Sequence, residues 1–492
     1  MKNTKGISVL ASALALFGLF VFPFAPLDSA ETTTTHITDT EPYITLANST
    51  NGSVMSIITS GDRVGDNNYE FAKIPDGIGA FIPGPTPNNT DQTLNIFVNH
   101  ELNNGTYEEG FAKVSNLELD QDGRIIQADF AINGSELYEQ FCSAYLVEGY
   151  GFEHPIYFTN EEVGDGIVVA IDGVTGETTE MPWLGKLHHE NTIHVPYFYE
   201  TANKTVVLTF EDGDPTKSKV YMYVADSPQD LLKGNGQLYV FTTEDNRYNT
   251  WDDIYYSDPN TIIGKFIPLT WNHTTQDEVE LHEEAIEAGA FQFIRPEDGA
   301  MDKREGHTNI LYMADTGSDA DEDDSPIPVG HNGQEWDRGR MYKFTFTDPA
   351  DPTSVNLEVI MDGNDRRAPG YAASLDEAMV NPDNIDTSIN TLMIQEDRIE
   401  GNRFNATMPY NVSNNAKILM VDLDSIDEGR TEMKNVAYVN QIANQTSMHG
   451  EWESSGILDV SDFFGEGSWL SSVQAHTLEE GGQLLLLNVE SS

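Results

Sequence analysis

"TVVLTFEDG" (205–213) followed by "KVYMYVADSP" (219–228) is a pair of β-branched and aromatic runs, the first ending in two acids and the second in an Asp-Ser-Pro turn. Runs of this composition, bounded by Gly, Asp and Pro, read as strands. The pattern recurs: "TNILYMADTG" (308–317) precedes "RMYKFTFTDP" (340–349), and "TLMIQEDR" (391–398) precedes "KILMVDLDS" (417–425). In each pair one strand ends in acid, a polar loop follows, and a second strand carries the chain to another acidic turn. "TLNIFVNHE", "GQLYVFTT" and "QLLLLNVES" add further strands, whereas helical periodicity is best developed in "DEVELHEEAIEAGAF". A degenerate repeat of strand pairs predicts an all-β chain and a β-propeller, with long loops and a few short helices; such a fold buries each sheet against its neighbours. Two β-sandwiches are the competing architecture. Acids at strand ends favour the propeller, because its inner strands converge on a central channel. Carboxylates gathered there disfavour each other's ionisation and call for hard cations with oxygen ligands, calcium above all.

Composition agrees with a folded body. The 492 residues are 39% hydrophobic and 10% aromatic, ample for a core. With 26 basic and 81 acidic residues the formal charge is −55, which repels nucleic acid and anionic lipid and attracts cations. Adaptation to a salty or extracellular medium accounts for most of these acids. The lone Cys142 excludes an internal disulfide framework and Cys-rich zinc sites. Residues 1–30 carry Lys2 and Lys5, a long apolar run and a small-residue end at Ser29 and Ala30, which reads as a secretory signal. The run's length and Asp28, close to the cut, keep a retained membrane anchor as the alternative. There is no twin arginine, and past this segment no apolar run could span a bilayer. Sequons at Asn48, Asn104, Asn203, Asn272, Asn405 and Asn444 fit a secreted or cell-surface glycoprotein. Residues 31–60 read as a Thr/Ser/Asn-rich lead-in and 61–492 as a single domain, expected to be a monomer.

The ordered set "VNHE" (98–101), "LGKLHHEN" (184–191), "LTFEDG" (208–213), "FIRPEDG" (293–299), "NPDNI" (381–385) and "IQEDR" (394–398) resembles the PhoX-type alkaline phosphatase family over roughly residues 65–480. The resemblance implies a secreted, six-bladed propeller with calcium and iron (Fe3+) at its central channel, hydrolysing small phosphate monoesters. Carried onto this chain, it makes Glu190 and Glu297 metal ligands and sets Arg295 and Asn99 on the substrate phosphate. Glu101, Glu211, Asp212, Asp383, Glu396 and Asp397 become candidate calcium ligands. An arginine among carboxylates then has a reason: its planar fork matches two phosphate oxygens and keeps its proton, and Pro296 fixes the backbone beside it.

Other residues admit two readings. Cys142 precedes "HPIYFTNEE" (154–162), which loosely resembles an iron-binding segment of that family, while a lone cysteine is also an ordinary small core residue. Without a twin arginine, iron loading is doubtful and an all-calcium site gains. "DTGSDADEDD" (315–324) alternates acids at Asp319, Asp321 and Asp323 but lacks the glycine and glutamate of an EF-hand, so a solvated loop is expected. His188 and His189 would point to opposite faces of a strand, so one of the histidines in 188–194 is structural. "HGEWESSGILDVSDFFGEGSWLSSVQAHT" (449–477) has no nucleophile elbow; it resembles a closing blade that brings Gln474 and His476 toward the channel. Two rival functions stand beside the phosphatase. One is a non-catalytic, calcium-stabilised surface propeller that binds glycan or an envelope protein; the other is a propeller esterase, lactonase or phytase.

Overall fold

The computed structural model describes residues 38–65, 69–84, 92–104, 110–213, 218–245, 247–254, 256, 261–317, 338–374, 377–397, 415–441, 451–476 and 481–490. Residues 1–30, read from the sequence as a secretory signal, the acids 319–324 and the sequons at Asn405 and Asn444 lie outside the described residues. Thr34–Ser492 forms one compact unit.

Antiparallel sheets follow one another along the chain in a propeller-like arrangement. The first contains Pro75–Phe81, Leu94–His100, Lys113–Leu119 and Ile125–Ile132, and the second Phe141–Val147, Ile156–Glu161, Val168–Asp172 and Thr178–Glu180. A nine-stranded sheet comes next. It begins with His189–His194, Thr205–Glu211, Val220–Ala225 and Gly236–Thr243, passes through Ile262–Pro268, and returns through Ser354–Asp362, Arg340–Phe346 and Ile310–Asp315 to Pro296–Met301. Pro382–Thr387, Thr391–Glu396, Lys417–Asp422 and Met433–Val439 form the next sheet, and Glu453–Asp459, Ser468–Ala475 and Gly481–Val489 the last. Pro75–Phe81 packs on Phe141–Val147 and that strand on His189–His194; His189–His194 packs on Pro296–Met301 at the other end of the nine-stranded sheet, which packs on Pro382–Thr387, and Glu453–Asp459 packs on both Pro382–Thr387 and Pro75–Phe81, so that these inner strands close a cycle.

The three strand pairs legible in the sequence are second and third strands of their sheets, with the acid-ending strand lying next to the inner one. Full burial of Thr205–Glu211 and Ile310–Asp315 explains why these runs are largely apolar rather than alternating. Their side chains feed the largest core cluster, where Phe210, Phe241, Phe293, Met313 and Phe344 pack between neighbouring parts of the nine-stranded sheet. Near the axis the backbones come too close for side chains: a Cβ on Gly77 would lie 2.4 Å from the amide nitrogen of Ala144 on the next inner strand.

Part of the Thr/Ser/Asn-rich stretch 31–60 is built into the sheets. Ile44–Leu46 pairs with Met433–Val439, and Gly52–Thr59 pairs with Gly481–Val489, so the N-terminal stretch supplies the outer strands of the last two sheets. Its Thr, Ser and Asn content fits outer strands that are partly exposed. The expected helix forms over Glu278–Glu287, started by Asp277, whose carboxylate accepts from the backbone of Val279 and Glu280. Among the described residues no helix is long and apolar enough to cross a membrane.

Candidate functional site at the head of the inner strands

Register explains how distant residues meet. Pro75 lies opposite His100, Phe141 opposite Glu161, His189 opposite Glu211, Pro296 opposite Asp315, Pro382 opposite Glu396, and Glu453 opposite Gln474. One position inward along each of the first five inner strands stand Asp76, Cys142, Glu190, Glu297 and Asp383, with Glu453 taking the equivalent place in the sixth. The residues that follow each partner strand are Glu101, Glu162, Asp212, Thr316, Asp397 and His476. Two rings of six are thus defined by repeated strand geometry, and every member except Thr316 lines one cavity of about 240 Å3, with Arg295, Gln140 and Gln474.

Nine of those lining residues are carboxylates and one is a guanidinium. Ligand atoms of Asp76, Glu101 and Cys142 lie within 4.8 Å of one another, as do those of Cys142, Glu162 and Glu190, and those of Glu190, Asp212 and Glu297. Burial, reinforced by neighbouring carboxylates, pushes Asp76, Glu162, Glu297, Asp383 and Asp397 well above the usual carboxylate range, and Glu190 to about 7. Burial and the charges of Asp76 and Glu190 push the Cys142 thiol up as well. Glu190 Oε1 accepts from the Ser143 hydroxyl at 2.6 Å, while its Oε2 and Asp76 Oδ1 are buried with no hydrogen-bond partner. Gln474 Nε2 ties Asp76 at 2.7 Å to Glu101 at 3.0 Å.

Arg295 stands at the sheet position where the second ring carries Thr316, its one member without an ionisable side chain. Its backbone N–H donates to Asp315 Oδ1 at 3.0 Å, and its carbonyl accepts from the amide of Thr316 at 2.9 Å, while Pro296 continues the strand. Its Nε and Nη2 donate to Asp212, Nη2 lies 3.1 Å from Glu297, and Nη1 lies 3.8 Å from Asp397.

The sequence-derived candidates divide cleanly. Arg295, Glu190, Glu297, Cys142, Glu101, Asp212, Asp383 and Asp397 all line the cavity. Glu211 and Glu396 do not, because neighbours in a strand point to opposite sides. Glu396 pairs with Lys417 Nζ at 2.8 Å and accepts from the amides of Val380 and Lys417, a buried structural ion pair. Glu211 faces the helix Glu278–Glu287, with His282 Nδ1 at 3.9 Å. Asn99 is also placed elsewhere: it is fully buried, donating to the Cys142 carbonyl at 2.6 Å and accepting from Tyr157 and Thr159, so it supports the strand that carries Cys142. Both His188 and His189 stand outside the cavity, the latter held by Thr209 and the Gly185 carbonyl. Asp76 was missed, although "KIPDG" (73–77) repeats the Pro-acid step of "RPEDG" and "NPDNI". Gln140 had no comparable signal.

Fold and site together define an all-β protein with propeller-like sheets and an anionic cavity at one end of the inner-strand cycle. The structure is similar to that of Pseudomonas fluorescens PhoX in complex with vanadate, a transition state analogue, with a TM-score of 0.59 and 16% identity over 93% of this chain and 97% of that one. It shows weaker likeness to the GH43_1 enzyme from Xanthomonas citri complexed with xylotriose (TM-score 0.33, 9% identity, 70% of this chain and 85% of that one). A subtype N11 neuraminidase-like protein of A/flat-faced bat/Peru/033/2010 aligns with a TM-score of 0.35 at 11% identity, over 89% of this chain and 98% of that one. No protein-family model matches the chain, and no curated protein matches it.

Proposed function

We propose that this chain is an exported, metal-dependent phosphomonoester hydrolase of the PhoX type, built on six blades. The blade count follows from taking the nine-stranded sheet as two blades bridged by Ile262–Pro268. The observation that carries the function is the convergence of Arg295 with Glu190, Asp212 and Glu297 in one cavity, on a fold shared with a protein known in complex with vanadate.

The donor set fits cations. Nine carboxylates on one guanidinium leave a large uncompensated charge, and buried oxygens of Glu190 and Asp76 have no partner within the chain. Asp76, Glu101, Glu190, Asp212, Glu297, Asp383 and Asp397 suit calcium, and Cys142 with Glu162 adds a softer corner suited to iron. When bound, such ions polarise phosphoryl oxygens and lower the pKa of coordinated water. The remaining work belongs to the chain. Asp212 and Glu297 hold the Nε–Nη2 edge of Arg295, which leaves Nη1 directed toward the substrate's equatorial oxygens as charge builds there. Gln474 and Ser143 keep the carboxylates of Asp76 and Glu190 in place. Export through residues 1–30 and small phosphate esters as substrates complete the reading.

A second reading, a calcium-stabilised binding propeller, draws support from the same ion pairs, since Arg295 already neutralises Asp212 and Glu297. Hydrolysis of p-nitrophenyl phosphate by the chain from residue 31, with calcium, with iron supplied during folding, and with chelator, separates the two. Expected is metal-dependent turnover that falls about 10²-fold or more in Arg295→Ala, in line with loss of a transition-state donor. Bound calcium without turnover under every loading would favour the binding propeller.

A further inference from the structure

Outside the cavity, a second group of metal-ligating side chains lies behind the strands that carry Glu190 and Asp212. Glu278 and His282 are one turn apart on the helix Glu278–Glu287 and therefore share a face. His282 Nδ1 is 3.9 Å from Glu211 Oε1, and His188 Nε2 is 3.9 Å from Glu278 Oε1. Glu211 is only 4% exposed, yet its Oε2 has no hydrogen-bond partner, and neither has the buried Nε2 of His282. Nearby, the fully buried Tyr221 hydroxyl is also without a partner, and burial together with the charges of Glu211 and Glu278 keeps it protonated. An unpaired carboxylate oxygen in the interior is costly, and at this position a cation would relieve it.

We propose that His188, Glu211, Glu278 and His282 form a site for a divalent transition metal of the zinc or cobalt class, separate from the carboxylate cavity. Two imidazoles with two carboxylates suit such an ion better than calcium, which prefers oxygen alone. Glu278 and His282, one turn apart on the helix, link the two pairs, and side-chain rotation of His188 and Glu278, 38% and 30% exposed, would bring both pairs onto one ion. Gly164 leaves room for that movement: a Cβ there would sit 3.2 Å from Glu278 Oε2 and 3.8 Å from His188 Nε2. The ion would clamp the helix to the back of the strand pair, because Glu211 and Asp212 face opposite sides of one strand and the Asp212 amide donates to the His188 carbonyl. This inference does not depend on phosphatase activity.

The test is a cobalt(II) titration of the full chain with calcium in excess, comparing wild type with H188A/H282A. Expected are about one more cobalt equivalent in wild type and visible ligand-field bands without thiolate charge transfer, both lost in the double variant. Equal uptake by both proteins would overturn the proposal, as would bands that disappear in Cys142→Ser but persist in H188A/H282A. If the double variant does not fold, X-ray absorption on zinc-loaded wild type decides: outer-shell scattering from two imidazoles per zinc supports the site, and one or none, as His476 of the cavity could supply, overturns it.

Discussion

At the residue scale, what a buried side chain touches separates those that hold the fold from those that face the cavity. His194 is the clearest of the former. It is fully buried against the rings of Tyr150 and Phe152, neither ring nitrogen has a partner, and burial lowers its pKa to about 3. The unfolded chain takes up a proton near pH 6.5 while the folded chain refuses it down to about 3. This group therefore leaves stability intact above 6.5 and removes it as pH falls, by about 1.4 kcal/mol per pH unit within that window. His194→Phe, which keeps an aromatic ring in an aromatic site, should lose stability less steeply on acidification than wild type, by about that slope. Denaturant titrations at stepped pH check this; parallel slopes for the two proteins would refute it. Residue identity also set the limits of the sequence reading. Arg295, Glu297 and Asp383 were legible through the ordered motifs that resemble the PhoX type, whereas Asp76, in a similar Pro-acid step outside that set, was not, and Asn99, Glu211 and Glu396 looked equivalent to cavity residues. Their direction depends on a one-residue register that adjacent acids such as Glu211-Asp212 and Glu396-Asp397 do not reveal.

At the element scale, the strand pairs were readable because buried runs such as Thr205–Glu211 and Ile310–Asp315 are largely apolar between turn residues. Closure was not readable. Pairing of Ile44–Leu46 and Gly52–Thr59 with strands near the other end of the chain is a long-range contact without local signature. Its energetic weight is plain from Ile57 and Ile58, both fully buried in a cluster with Leu470 and Leu484. Burying two such side chains contributes about 3–6 kcal/mol. A chain starting at residue 38 keeps both strands and should melt as wild type does. One starting at residue 61 leaves two sheet edges and the Ile57–Ile58 site open, so a clearly lower melting temperature and concentration-dependent aggregation are expected. Calorimetry and light scattering on the two truncations test this, and indistinguishable melting would show that the N-terminal strands are accessory.

At the scale of the whole molecule, the formal charge of −55 and the carboxylate-lined cavity pose one problem, since a folded chain brings together acids that the unfolded chain keeps apart and hydrated. Asp76, Glu162, Glu297, Asp383 and Asp397 are held above their ordinary values, Glu190 at about 7 and Asp298 at about 8. In that state the folded protein keeps protons that the unfolded chain has already released above its ordinary carboxylate pKa. Stability from these groups is therefore full at low pH and is lost as pH rises through the folded values. Above pH 6.5 the opposing contribution of His194 is already complete, so the carboxylates govern the slope. Chelated protein should lose stability between about pH 6.5 and 8, by about 1.4 kcal/mol per pH unit for each proton released. Saturating calcium should flatten that slope, because bound cations stabilise the ionised carboxylates and bind only the folded arrangement. Monovalent salt at equal ionic strength should act more weakly, since screening reaches buried groups less than exposed ones. Denaturation midpoints with chelator, with calcium and with sodium chloride across this range provide the measurement. A calcium effect no larger than that of matched sodium chloride would mean that the acids serve surface solvation, and that the cavity does not select cations.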